Sequence, residues 1–159
     1  MNENNLEKII NNIVGDAIVK EVMSLKLAVK LIETVEEKAA EMGLAVVVAV
    51  SDASGRPIAV HCMDGAYHGS FDVAVNKTYT STAFQMSTAK LSRLRQPGQD
   101  LYGLQFSNNG KVMILGGGEP LMVGKTMIGA LGVSGGSAQE DSDLAAYGAS
   151  ALKEVIKCL

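Results

Sequence analysis

The run Leu44-Ala-Val-Val-Val-Ala-Val50 constrains this chain more than any other stretch. Its residues are all apolar and largely β-branched, so a strand built from them has no side to turn toward water. Such a strand needs cover on both faces. It is also the longest purely apolar run in the chain, far short of the roughly 18–20 residues that a membrane-spanning helix requires.

The segments around this run supply the cover. Before it, Ser24 is placed to cap a helix whose Leu27, Ala28, Leu31, Ile32, Val35 and Ala39 form one stripe, and Gly43 stops it. After it, Asp52-Ala-Ser-Gly55 reads as a turn into a second strand near Pro57–Met63, which predicts an antiparallel hairpin. Alternation puts Ile58, Val60 and Cys62 on one side of that strand and Ala59, His61 and Met63 on the other. Ser70 is expected to cap a helix through Phe71, Val75, Tyr79 and Ala83, and residues 87–110 read as a long polar connection. Three further strands are expected at Val112–Leu115, Leu121–Val123 and Met127–Val133, and Ser137-Ala-Gln-Glu140 is a capping box for a final helix. A first amphipathic helix is expected over residues 6–18, with Leu6, Ile9, Ile10, Ile13, Val14, Ala17 and Ile18 on one side. The order α–α–β–β–α–loop–β–β–β–α has no βαβ rhythm, so the fold class is α+β, an antiparallel sheet with helices packed on it.

A chain of 159 residues makes one ordinary domain, here of 47% apolar and 19% charged residues. A formal charge of −3 removes the electrostatic footprint of a nucleic-acid binder. The N-terminus lacks a basic segment followed by a continuous apolar stretch, which points to the cytoplasm. Cys62 and Cys158 have neither metal-site spacing nor the number for a disulfide framework, in keeping with a reducing compartment.

Most of the 17 glycines fall between residues 98 and 148. Gly116–Gly118 lacks the spacing of a phosphate loop, although exposed amides in such a turn can accept an anion. Gly129–Gly136 carries small residues where strands carry large ones, so either a helix packs very closely or a flat ligand lies on the backbone. Ser134 does not sit in a GxSxG setting, which argues against a serine hydrolase. His61 and His68 are the only histidines, and with Cys62 and Met63 nearby they are candidate axial ligands for a haem iron or a corrin cobalt. Lys77 lies in a largely apolar helix and needs an anionic partner, either Asp64, Asp72 or Glu119 within the fold or a bound anion. Lys90, Arg93 and Arg95 make either a solvated face or a cationic pocket rim.

Several motifs follow one another in an order that resembles the GlcG/HbpS family of haem-binding proteins, and within it the C-terminal domain of PduO-type proteins. They are Val50-Ser-Asp-Ala-Ser-Gly55, Met63-Asp-Gly-Ala66, Asn76-Lys-Thr-Tyr-Thr80, Leu101-Tyr-Gly103, Gly117-Gly-Glu-Pro-Leu121 and Gly129-Ala-Leu-Gly-Val-Ser-Gly-Gly136 followed by Asp141. The likeness runs over residues 24–159 and leaves 1–23 as an N-terminal extension. It implies a profilin-like α/β/α sandwich, with a five-stranded antiparallel sheet carrying helices on both faces, and assembly into homo-oligomers from dimer to octamer. It also implies binding of haem, with cobalamin as an alternative. Carried over by motif, the pocket is Asp64, Gly65, Lys77, Thr78, Thr80, Gly116, Gly117, Gly118, Gly132 and Gly135. Glu119 departs from the hydrophobic residue expected between Gly-Gly and Pro. No segment like the adenosyltransferase domain of full-length PduO proteins is found, so adenosylation is not expected. PduO-like proteins are associated with bacterial microcompartments, which makes a shell protein a candidate partner for residues 1–20, beside an oligomer contact.

The leading expectation is therefore a tetrapyrrole-binding protein with no membrane or nucleic-acid partner. Its macrocycle would lie between the glycine-rich backbone and helix 71–84, with His61 or His68 on the metal and Lys77, Arg93 and Arg95 near the propionates. The rival is a ligand-free oligomeric accessory of a microcompartment or a B12-dependent enzyme system. A third reading is an enzyme with Asp64 and Lys77 as an acid–base pair.

Overall fold

The computed structural model describes residues 22–159. The expected helix over residues 6–18, with the shell or oligomer contact drawn from it, lies outside the described residues. The first described helix, α1 (Leu25–Glu41), opens as expected, with the Ser24 hydroxyl accepting the Leu27 N–H, and it buries the predicted stripe from Leu27 to Ala39. Each large apolar side chain fully buried there contributes roughly 1.5–3 kcal/mol.

Strands β1 (Val47–Asp52) and β2 (Pro57–Cys62) form the predicted antiparallel hairpin. The Asp52 carboxylate closes its turn by accepting the N–H groups of Ser54 and Arg56. β1 is buried on both sides and pairs on its other edge with β4 (Thr126–Ser134), which pairs with β3 (Gly118–Val123). The strand order is β2-β1-β4-β3, antiparallel throughout.

Among the described residues the sheet has four strands, which corrects the expected five. The expected strand at Val112–Leu115 is irregular chain. Its Met113 N–H donates to the Thr80 hydroxyl at 2.8 Å and the Val112 side chain is buried, so the segment is tied to a helix and not to a sheet edge. The connection over 87–110 is also more ordered than expected. It contains helix α3 (Thr88–Leu94), capped by the Ser87 hydroxyl and anchored by buried Leu91, and two 3-10 turns at Leu104–Phe106 and Asn108–Gly110.

Helix α2 (Ser70–Phe84) covers one face of the sheet, and α1 with α4 (Ala138–Lys157) covers the other. The large core lies on the α1/α4 side, where Leu31, Ile32 and Val35 meet Val48, Val50, Leu131 and Leu144. α4 starts in the predicted capping box, with Ser137 and Glu140 each accepting the other's backbone N–H.

The packing of α2 is inverted relative to an ordinary surface helix. It buries Ser70, Ala74, Lys77, Thr78, Ser81 and Thr82 and leaves the stripe Phe71, Val75, Tyr79 only partly covered. Threonine permits this because its hydroxyl is satisfied within the helix: Thr78, Thr80 and Thr82 donate to the carbonyls of Val75, Asn76 and Tyr79. Ser70 is not the cap that its position suggested. Gly69 holds that place, and the Ser70 hydroxyl accepts from the Ser134 hydroxyl on β4.

Candidate functional site

The candidate residues fall into two groups, one interior and one exposed. The interior group is built around Lys77. Its ammonium is surrounded by the fold and donates to the Val133 carbonyl at 2.6 Å and to the Asp141 carboxylate at 2.8 Å. The second Asp141 oxygen accepts the Gly136 N–H at 2.9 Å. One cation thus joins α2, the end of β4 and the first turn of α4. Burial pulls the Lys77 pKa below its usual range, and the contact with Asp141 opposes that pull.

This placement corrects two expectations. The partner of Lys77 is Asp141, none of the three carboxylates expected, and the Lys77 side chain is only 1% exposed. Asp64 is exposed in the turn after β2 while Lys77 is internal, so the two do not form an acid–base pair.

The glycines belong to the same interior. A side chain on Gly132 would run into the Ala74 carbonyl of α2. At Gly117, where φ is +114°, a Cβ would stand 2.6 Å from the Val133 carbonyl and 2.7 Å from the Lys77 nitrogen. Gly118 faces Thr88 and Ser81, Gly116 faces Ser142, and Gly135 faces Ala45 and Val46. Beside Gly118 and Gly132 the space is therefore filled by α2, so there the close-packing reading of the glycines holds and not the flat-ligand one. Thr78 and Thr80 are likewise buried and bonded inside the fold.

The exposed group lies on and after β2. His61 pairs with Val48 in register and turns toward α1, where its Nδ1 lies 3.2 and 3.3 Å from the two Glu36 carboxylate oxygens. That contact holds one nitrogen of the ring and leaves Nε2 as the donor for any metal. The turn Met63–Gly69 then crosses to the α2 side. Gly65 makes it with φ +88°, and the Ala66 N–H donates to the Met63 carbonyl. His68 is exposed in this turn beside Tyr67, which is 74% exposed, and Phe71, which is 46% exposed. The two histidines thus belong to different layers of the fold.

Among the basic residues expected at a rim, Lys90 and Arg93 are exposed, whereas the Nε of Arg95 is buried without a hydrogen-bond partner. Glu119 on β3 is half-buried opposite Leu131, and burial raises its carboxyl pKa. Cys62 and Cys158 are both exposed free thiols. Among the described residues no three His, Cys, Asp or Glu side chains are grouped to hold a metal ion, and no helix is long and apolar enough to cross a membrane.

Sequence reasoning missed Glu36, Tyr67, Phe71 and the role of Asp141. Glu36 had a signal in lying four residues after Ile32, on the flank of the buried stripe, and Asp141 had one in following the Gly129–Gly136 motif.

Residues 23–150 match the family model described as haem degrading protein HbpS-like. An uncharacterized 15.0 kDa protein of the dhaT-dhaS intergenic region of Citrobacter freundii is 39% identical over 123 residues, covering 77% of this chain and 87% of that protein. The corrinoid adenosyltransferase PduO of Salmonella typhimurium is 39% identical over 109 residues, covering 69% of this chain. The chain spans only 32% of that relative's length. Among solved structures, a PduOC:heme complex is similar with 35% identity and a TM-score of 0.78, covering 82% of this chain and 94% of that one.

Proposed function

The chain belongs to the HbpS-like family, and from that premise we propose that it is a haem-binding protein whose macrocycle sits on the exposed turn between β2 and α2. The similarity to the PduOC:heme complex over 82% of the chain carries this reading. The residues present fit the group. His68 offers an exposed imidazole, and Tyr67 and Phe71 beside it offer flat apolar cover for a porphyrin. Lys90 and Arg93 lie on α3, beyond the opposite end of α2 and about 20 Å from this turn, so they do not reach a macrocycle held there. Bound haem would supply an iron centre capable of redox or oxygen chemistry; the protein's part is to hold, orient and shield it. His61 is the alternative ligand, favoured by the Glu36 carboxylate that fixes its ring.

The same turn accommodates cobalamin as the alternative macrocycle, since imidazole ligates cobalt as it ligates iron. A ligand-free oligomeric accessory is the second reading, supported by the exposed apolar side chains of Tyr67 and Phe71 at the start of α2.

Absorbance titration with hemin tests the proposal. Saturation at one equivalent per subunit with a shifted Soret band, lost in His68→Ala and kept in His61→Ala, is the expected result. Loss in His61→Ala alone would move the ligand to the α1 side. Absence of saturation with hemin, with saturation by aquacobalamin, would transfer the site to the corrin. Failure with both would favour the oligomeric accessory.

A further inference from the structure

β2 lies at one edge of the sheet, and its outer backbone is open. The Met63 N–H donates to the Val46 carbonyl at 3.1 Å, and the pairs Val47↔Cys62, Val48↔His61 and Ala49↔Val60 continue from it. Bonded and non-bonded pairs alternate along an antiparallel ladder, so His61 directs its N–H and C=O at β1 while Val60 and Cys62 direct theirs away from the sheet. Among the described residues no hydrogen bond reaches those outward groups. The opposite edge is blunted. There the Val133 N–H donates to the Gly117 carbonyl, which by the same alternation turns Gly118 and Pro120 outward, and proline has no N–H to offer. Glu119 adds a carboxylate to that strand. Pro57–Cys62 contains no Lys, Arg, Asp or Glu, and its one proline is the first residue. Charge and internal proline are what keep a sheet edge from pairing, and β2 has neither.

We propose that β2 pairs with the β2 strand of a second copy, antiparallel about a two-fold axis at His61, joining two four-stranded sheets into one. Val60 then exchanges both backbone bonds with the partner subunit's Cys62, and Cys62 with the partner subunit's Val60. The same open groups on both copies satisfy one another, which is the condition for a two-fold interface. An identical strand also brings no charged side chain against a like charge, because the strand holds none of the four charged types. The layers leave room for it. α1 lies over β1 and β2, and α4 lies over β3 and β4. With strands about 4.8 Å apart, the two α1 helices would stand about 10 Å from each other across the seam, an ordinary helix-packing distance. The inference does not rest on haem binding, since His68, Tyr67 and Phe71 lie beyond the end of β2.

Cys62 is exposed, so it can be changed without touching the core. Cys62→Pro deletes one outward N–H and leaves the ladder to β1 whole, Cys62→Lys sets a cation on the open edge, and Cys62→Ser is the control. Sedimentation velocity of the full chain is expected to show a dissociation constant at this interface at least tenfold higher in the Pro and Lys variants than in the Ser variant, at unchanged far-UV circular dichroism. Should Cys62→Pro unfold, Cys62→Lys decides. A second measurement reads the geometry directly: in Cys158→Ser, a six-carbon bismaleimide is expected to join Cys62 of one copy to the partner's Cys62. A monomeric parent chain, an assembly that Cys62→Lys leaves unchanged, or no cross-link through Cys62 would overturn the proposal. Hemin titration of Cys62→Lys is expected to match the parent, so failure here is separable from failure of the haem site.

Discussion

Lys77 on α2 and Asp141 on α4 stand 64 positions apart in the chain and meet at 2.8 Å, with 1% and 6% of their side chains exposed. The pair joins helices that lie on opposite faces of the sheet, and it does so through the gap left by Gly117. Removing one partner strands the other charge in the interior, which costs about 3–5 kcal/mol. Lys77→Met and Asp141→Leu are each expected to lower the urea midpoint accordingly. The double variant should recover a substantial part of the loss, because two apolar groups replace two buried charges. A loss in the double variant equal to the sum of the two single losses would show that the residues do not act as a pair.

Gly132→Ala is expected to destabilise the fold by about 1–3 kcal/mol, as overpacking does, because the new methyl meets the Ala74 carbonyl and must push α2 off the sheet. Gly69→Ala is the control. No atom lies within 4 Å of a Cβ there and φ is −66°, so the change should stay within about 0.5 kcal/mol. Thermal unfolding of the two variants separates close packing from a general intolerance of glycine replacement.

Glu119 is a half-buried carboxylate whose pKa burial raises above its ordinary value of 4.5. The unfolded chain therefore releases this proton at lower pH than the folded one. Stability from this group falls as pH rises from the unfolded value through the folded one, and is flat above. Glu119→Gln is expected to raise Tm at pH 7 by about 1–2 °C and to flatten the Tm-against-pH curve just above pH 4.5. A lower Tm at pH 7 would mean that the carboxylate has a favourable partner.

If haem lies on the turn after β2, the rings beside His68 supply contact area and not ligation. Tyr67→Ala and Phe71→Ala are expected to weaken hemin binding by about tenfold each, the equivalent of roughly 1.4 kcal/mol, while the Soret position stays that of the parent. Unchanged affinity in both would place the macrocycle elsewhere on the surface.

Local pattern was enough for α1, the β1–β2 hairpin and α4. Their caps, turn residues and buried stripes lie within a few positions of one another, at Ser24 and Leu27, at Asp52 and Arg56, and at Ser137 and Glu140. The family and the layered α+β class were equally legible, because the motifs from Val50 to Asp141 keep their order along the chain. Tertiary structure alone decided whether the glycines of β4 face a ligand or a helix, which carboxylate meets Lys77, and that Val112–Leu115 joins α2 through Thr80 and not the sheet. It also decided which face of α2 is buried. That helix carries small and hydroxylated residues on one side and an apolar stripe on the other, so periodicity favours the stripe as the inner face. The Gly132 surface accepts only the small side, because the α2 backbone comes too close for the larger residues. A relation between Ala74 and Gly132, or between Lys77 and Asp141, depends on how separate layers close on one another, and no periodicity within a single element carries that distance.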